Sequence, residues 1–321
     1  MYRSTRFAGA GALGAAALAL TLLAPTPAVA VAPPLSDPYV AAHFDFATGQ
    51  LPENVALEPD GSADLTLLRS LQVARVSREG KVEILATLPA EEKPATPLFG
   101  YAALTGIVRA DDGTLYVNYV TGTKLTGIWR IRPGGAPEQI AALPPDGIPN
   151  GLTLDQEHGM LYAADSVMGV VWRVPVEGGV PLAWAIHPDL RPNGFIGANG
   201  ARFHDGAVWV SNTDCGTVLR IAVGSDPDAS PGPVEIRHEG LDGIDDFNFT
   251  GHQDDLLAAR NVAGELVHVT TGGTRTVVLT KQDGLSNPTS VAVCGEDVYV
   301  TSGAFFEQPP DPNLLRAAIH S

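Results

Sequence analysis

Glu53-Asn54-Val55-Ala56-Leu57 opens a pattern of a polar residue, a small or polar residue and an apolar run, and it returns five times along the chain. The recurrences are Thr105-Gly106-Ile107-Val108, Asn150-Gly151-Leu152-Thr153, Asn199-Gly200-Ala201-Arg202, Asp245-Asp246-Phe247-Asn248 and Thr289-Ser290-Val291-Ala292. Their leading residues stand 52, 45, 49, 46 and 44 positions apart. A period in this range is the signature of stacked or radial repeats, and propeller blades fall within it.

Two further registers accompany the first. Each unit continues with an apolar couplet, such as Leu115-Tyr116-Val117, Leu161-Tyr162-Ala163 or Val208-Trp209-Val210. A third segment then sets one basic residue among apolar ones: Arg75, Arg130, Arg173, Arg220, His268 and Arg316 in turn. Asp60-Gly61, Asp112-Gly113 and Asp205-Gly206 supply hairpin turns between the first two segments. No stretch after the first thirty residues sustains a helical period. The sequence therefore predicts an all-β fold, a six-bladed β-propeller of four-stranded antiparallel blades. A solenoid would need a helix or a parallel turn in each repeat, and the sequence offers neither.

Residues 1–30 read as a signal peptide, with Arg3 and Arg6 before an Ala- and Leu-rich core and Ala28-Val29-Ala30 as a cleavage site. Residues 31–42 read as a proline-bearing linker and 43–321 as the propeller. The expected destination is extracellular or the cell envelope, with no membrane attachment after cleavage. The 321-residue chain carries a formal charge of −16, which becomes −18 without the first thirty residues. That balance argues against nucleic acid or an anionic membrane as partner. A small-molecule substrate and a monomer are expected. Cys215 and Cys294 fall at opposite ends of strands two blades apart, which predicts two free thiols rather than a disulfide.

The leading residues decide the chemistry. If the first strand of each blade lies nearest the axis, six side chains from distant parts of the chain converge at one channel mouth. Four of them, Glu53, Asn150, Asn199 and Asp245, are acids or amides. Such oxygens suit a hard cation, Ca2+ or another divalent ion, whereas zinc would recruit His or Cys. An ion with so few protein ligands keeps open positions and can act on a substrate carbonyl. Asp245 is a candidate nucleophile or base, Asp246 an assisting carboxylate, and His187 a candidate general base on a loop at the same face. Tyr101, Thr105, Phe195, Thr289 and Phe305 are expected to form a substrate rim. No Gly-x-Ser-x-Gly elbow, His-Glu-x-x-His pair or phosphate-cradling glycine loop occurs.

The segments Leu51-Pro-Glu-Asn-Val-Ala, Ile148-Pro-Asn-Gly-Leu, Gly197-Ala-Asn-Gly and Ile244-Asp-Asp resemble those of the senescence-marker-protein/gluconolactonase/luciferin-regenerating-enzyme family, over residues 43–306. That six-bladed superfamily also holds paraoxonase-like, diisopropylfluorophosphatase-like and strictosidine-synthase-like proteins. The resemblance implies a divalent metal held by a Glu, two Asn and an Asp from blades one, three, four and five, at the positions of Glu53, Asn150, Asn199 and Asp245. It also implies that an N-terminal strand, placed here at 43–47, completes the last blade. Three functions remain open: a metal-dependent lactonase or esterase, a condensing or cyclising enzyme of strictosidine-synthase-like type, and a small-molecule-binding propeller with a structural calcium.

Overall fold

The computed structural model describes residues 35–224 and 230–319, so the expected signal peptide lies outside the described residues. Six four-stranded antiparallel sheets follow one another along the chain. Blade one holds Pro52–Leu57, Ala63–Leu67, Gln72–Val76 and Val82–Thr87, from the axis outward. Blades two to five repeat that order, beginning at Ala103–Arg109, Pro149–Asp155, Ala198–His204 and Ile244–Phe249. Blade six runs Pro288–Cys294, Asp297–Ser302, Asn313–Ile319 and then Leu35–His43 from the other end of the chain.

That last strand closes the ring eight residues earlier than expected. Residues 35–42, which read as linker, pair with Asn313–Ile319 in a register that sets Tyr39 opposite Arg316 and His43 opposite Asn313. The prolines masked the strand. Pro38 sits where the register shifts, beside Asp37 with a φ of 51°, on an outermost strand hydrogen-bonded along one side only. An edge strand with a bulge tolerates a missing N–H.

The core is distributed. Each junction between neighbouring blades has its own cluster of buried apolar side chains, as where Val73 and Leu88 of blade one meet Leu104, Val117 and Trp129 of blade two. The equivalent clusters fill the other five junctions, so every blade is apolar on both faces. Across strands two and three the repeated basic residue faces an aromatic one: Tyr116 opposite Arg130, Tyr162 opposite Arg173, Trp209 opposite Arg220 and Tyr299 opposite Arg316. The Arg316 guanidinium lies 5.5 Å from the Tyr299 ring centroid, a cation–π arrangement.

Blade five sets His268 opposite Leu257, and blade one departs further. Asp64 stands opposite Arg75 and is 1% exposed. Neither of its carboxylate oxygens has a hydrogen-bond partner, and the nearest Arg75 nitrogen is 3.7 Å away because Arg75 pairs with Glu58 instead. Burial, then the neighbouring Glu58 carboxylate, push the Asp64 carboxyl up to about 8 against the pull of Arg75 and Arg109.

Cys215 and Cys294 are free and exposed, as expected. Among the described residues no helix is long and apolar enough to cross a membrane.

The Asp64 geometry sets a pH dependence. The folded carboxyl keeps its proton to about pH 8, while the unfolded one loses it near pH 4, so stability falls as pH rises through that window. Asp64→Asn is expected to flatten that decline and to raise the melting temperature by several degrees at pH 9 but little at pH 4, as measured by calorimetry.

Candidate functional site

All six leading residues sit at an irregularity of the innermost strand. The pairing of strands one and two skips between Pro52 and Asn54, Leu104 and Ile107, Pro149 and Leu152, Ala198 and Ala201, Ile244 and Phe247, and Pro288 and Ser290. A bulge re-aims the side chain it carries. Here it falls on Glu53, Thr105, Asn150, Asn199, Asp245 and Thr289 in turn. The residue after each leader explains the small position of the pattern. A Cβ on Gly106 would stand 2.3 Å from the Asn150 carbonyl oxygen, and one on Gly151 2.3 Å from that of Asn199. Inner strands two to four meet too closely for any side chain there.

Blades three, four and five support their leaders from one repeat position, the residue just after strand two. Asn150 Nδ2 donates to Ser166 Oγ at 3.2 Å, and Asn199 Nδ2 donates to Thr213 Oγ1 at 2.9 Å. Asn261 Nδ2 donates to Asp245 Oδ2 at 3.2 Å. Asn199 Nδ2 also donates to Asp245 Oδ1 at 2.8 Å, so both oxygens of this carboxylate are held by amides. Ser166, Thr213 and Asn261 escaped the sequence reading, although aligning the repeats at that position would have exposed them. In blade one the position is Leu68, which offers no donor, and the buried Glu53 Oε2 has no partner. Burial, then the charges of Asp245 and Asp246, push the Glu53 carboxyl well above the usual range. Asp245 is raised by burial and by Asp246, while its two amide donors pull the other way.

Asp246 faces a different environment. Its Oδ2 accepts from Arg202 Nη2 at 2.5 Å, Ser290 Oγ at 2.6 Å and Asn54 Nδ2 at 3.1 Å, and its Oδ1 accepts the Phe247 N–H at 2.8 Å. Four blades meet in this cluster, which closes the channel below the leaders. Beyond it a cavity of about 310 Å3 opens on the far face, lined by all six inner strands and by Arg202. With its acceptors occupied and 1% exposed, Asp246 is built in as a structural group rather than as a free assisting carboxylate.

The remaining candidates divide. Thr105 and Thr289 are each 1% exposed, and their hydroxyls donate to the Pro149 and Pro52 carbonyls of the next blade at 2.7 and 3.0 Å. They belong to the seams between blades, not to an exposed rim. His187 caps the short helix Pro188–Leu190, with Nδ1 accepting from the Asp189 N–H at 3.3 Å and lying 3.5 Å from Asp189 Oδ2. Its partners all lie in its own loop. Tyr101 and Phe305 do come together, around Leu51, Leu68 and Ala103 beside Glu53. Phe195 is 55% exposed, and its N–H is fixed by Asp214 at 2.7 Å. Arg69, which the sequence reading missed, lies 4.8 Å over the Tyr101 ring.

The donor set suits a hard cation in kind. Glu53 Oε2 lacks a donor, Asn150 and Asn199 direct their amide nitrogens into the protein and leave Oδ1 free, and Asp245 is a carboxylate held by neutral groups. Buried carboxylates without a countercharge are costly, and six to eight oxygens including amides is the preference of calcium. The charge is sparse: among the described residues no three His, Cys, Asp or Glu side chains gather to hold an ion.

Solved structures share this ring. Regucalcin from Agrobacterium tumefaciens, described as a calcium-binding protein, is 15% identical with a TM-score of 0.63, over 87% of this chain and 92% of its own. The gluconolactonase XC5397 from Xanthomonas campestris is 14% identical with a TM-score of 0.62, over 85% and 87%. Virginiamycin B lyase from Staphylococcus aureus is 15% identical with a TM-score of 0.59, over 84% and 80%. The structural neighbours thus include gluconolactonase- and regucalcin-like propellers, the group whose motifs the sequence resembles. At these identities the likeness establishes the fold. No protein-family model matches the sequence, and no curated protein is similar to it.

Arg202→Met tests the floor of the site. It strands the Asp246 charge with neutral donors alone, and urea unfolding is expected to register a loss of about 3–5 kcal/mol.

Proposed function

We propose that this chain is an exported, divalent-metal-dependent hydrolase that opens a lactone or ester at the mouth of the central channel. The observation that carries the proposal is Glu53: a buried carboxylate oxygen with no donor, at the same mouth as the amide-held Asp245. Glu53, Asn150, Asn199 and Asp245 would hold the ion, with calcium the best match to oxygen-only ligands. When bound, such an ion supplies Lewis acidity, polarising a carbonyl and favouring the oxyanion that develops on it.

The protein's own contribution is positional. Asn199 and Asn261 fix both oxygens of Asp245, which restricts its rotation and keeps it aimed at the mouth. Held by two neutral amides, its carboxylate is placed to take a proton from an attacking water. Asn54, Ser290 and Arg202 hold the Asp246 charge one layer below, so only the upper layer has free acceptors. The Tyr101 and Phe305 wall shelters one side of the mouth from water.

A second reading has its own support. With two carboxylates in the donor set, the ion could serve as a fixed structural plug in a small-molecule-binding propeller, and regucalcin is described as calcium-binding. One set of measurements separates the two. Removing metal with a chelator is expected to abolish hydrolysis of aryl esters and simple lactones, with calcium restoring it. Asp245→Asn and Asn150→Ala should each reduce kcat by at least about 100-fold, and both should weaken the calcium-induced rise in melting temperature. A calcium-dependent rise in melting temperature without turnover of any ester or lactone selects the binding propeller. Hydrolysis unaffected by the chelator refutes the metal-dependent reading.

A further inference from the structure

We infer that the molecule bound at the hub carries an extended apolar or aromatic tail, and that this tail lies along a wall built by blades six, one and two. The inference rests on the hydrolase reading for the reacting end of that molecule and stands by itself for the tail.

The wall is continuous. Phe99 stacks on Tyr101 at 5.6 Å between centroids, and Tyr101 and Phe305 pack on Leu51, Leu68 and Ala103. Phe305 meets Phe306 edge-on at 6.3 Å, and Phe306 is 69% exposed. Leu51 and Leu68 flank the hub directly: Leu51 precedes Glu53 by two residues, and the Leu68 N–H donates to the Leu51 carbonyl at 2.8 Å.

The two faces of the ring differ in the same sense. Five exposed large apolar side chains on described loops, Phe46, Leu98, Phe195, Val262 and Phe306, belong to the face that carries the hub. The opposite face has Val180 alone among such loop residues. Apolar side chains left in water on one rim, continuous with a polar centre, mark a surface meant to be covered. A polyhydroxylated substrate would leave the ring edges without a match and would call for side-chain donors and acceptors where Phe99, Phe305 and Phe306 stand, over the buried Leu51 and Leu68. The wall's polar side-chain groups are the Tyr101 hydroxyl and Arg69, whose guanidinium caps the Tyr101 ring.

The test uses the full mature chain with calcium and two parallel series. In the first, kcat/KM is measured for γ-lactones of increasing alkyl length and for glucono-δ-lactone. The proposal expects a rise of about two- to fourfold per methylene over the first four added carbons, with the sugar lactone the poorest. Phe306→Ser, at an exposed position, and Phe99→Ala should flatten the series while leaving the shortest lactone within about twofold. In the second, binding of the matching alkyl γ-lactams, which resist hydrolysis, is measured by calorimetry. Tighter binding with chain length that the two variants abolish supports the wall even if no lactone is turned over, in which case the hydrolase reading alone fails. Lactam affinity independent of chain length, or unchanged by both variants, overturns the inference whatever the hydrolysis data say.

Discussion

The structure depends on a belt of side-chain hydrogen bonds from each blade to a backbone carbonyl of the next. Thr66 donates to the Thr105 carbonyl, Asn118 to Asn150, Ser166 to Ala198, Ser211 to Asp245, Asn261 to Pro288 and Thr301 to Glu53. The distances run from 2.5 to 3.5 Å, and the donors lie on the second strand opposite the bulge or just past its end. A bulge removes local ladder bonds, and a buried carbonyl without a partner costs about 1–3 kcal/mol. The neighbouring blade makes good that loss. Each leading side chain is therefore aimed inward by its own strand and held in place by the preceding blade. Local strand geometry and ring closure are one constraint.

Above and below this belt the axis has two layers with opposite electrostatics. In the lower layer Asp246 meets an arginine, a hydroxyl, an amide and a peptide N–H, so its charge is balanced. In the upper layer Glu53 and Asp245 meet neutral groups, or none; burial comes first in pushing both carboxyls upward, followed by the charge of Asp246 for Asp245 and the charges of Asp245 and Asp246 for Glu53. Adjacent residues in sequence thus have different chemistry, because the bulge sends one to each layer. The lower layer occurs where the residue after the leader is not glycine. Asn54, Asp246 and Ser290, from blades one, five and six, fill the wider half of the ring, while Gly106 and Gly151 permit the tight half.

Much of this was legible in the amino-acid order. The repeat distances located all six inner strands, and the cross-strand basic residues appeared at their expected place in each blade. Three things were not. The Asp246 role depends on Arg202, forty-four residues away and on another blade, and no local pattern links them. Thr105 and Thr289 share the leading position with the acids and amides, but a short hydroxyl at a bulge reaches the neighbouring carbonyl before it reaches the mouth. The closing strand hid behind Pro38, because a proline argues against a strand only when both sides of that strand must pair.

The repeat also shows why one side of the mouth is polar and the other apolar. The residue after strand two is Ser166, Thr213 and Asn261 in blades three to five, and each bonds the leader of its own blade. At the same place blade one has Leu68, which joins Tyr101 and Phe305 instead. A single change of residue type therefore has two effects at once. It deprives Glu53 of the support its counterparts receive, leaving an oxygen without a hydrogen-bond partner. It also begins the apolar wall immediately beside that oxygen. Affinity for a cation and affinity for an apolar chain would then be linked through one position, and the unpaired acceptor and the greasy surface are two faces of the same departure from the repeat.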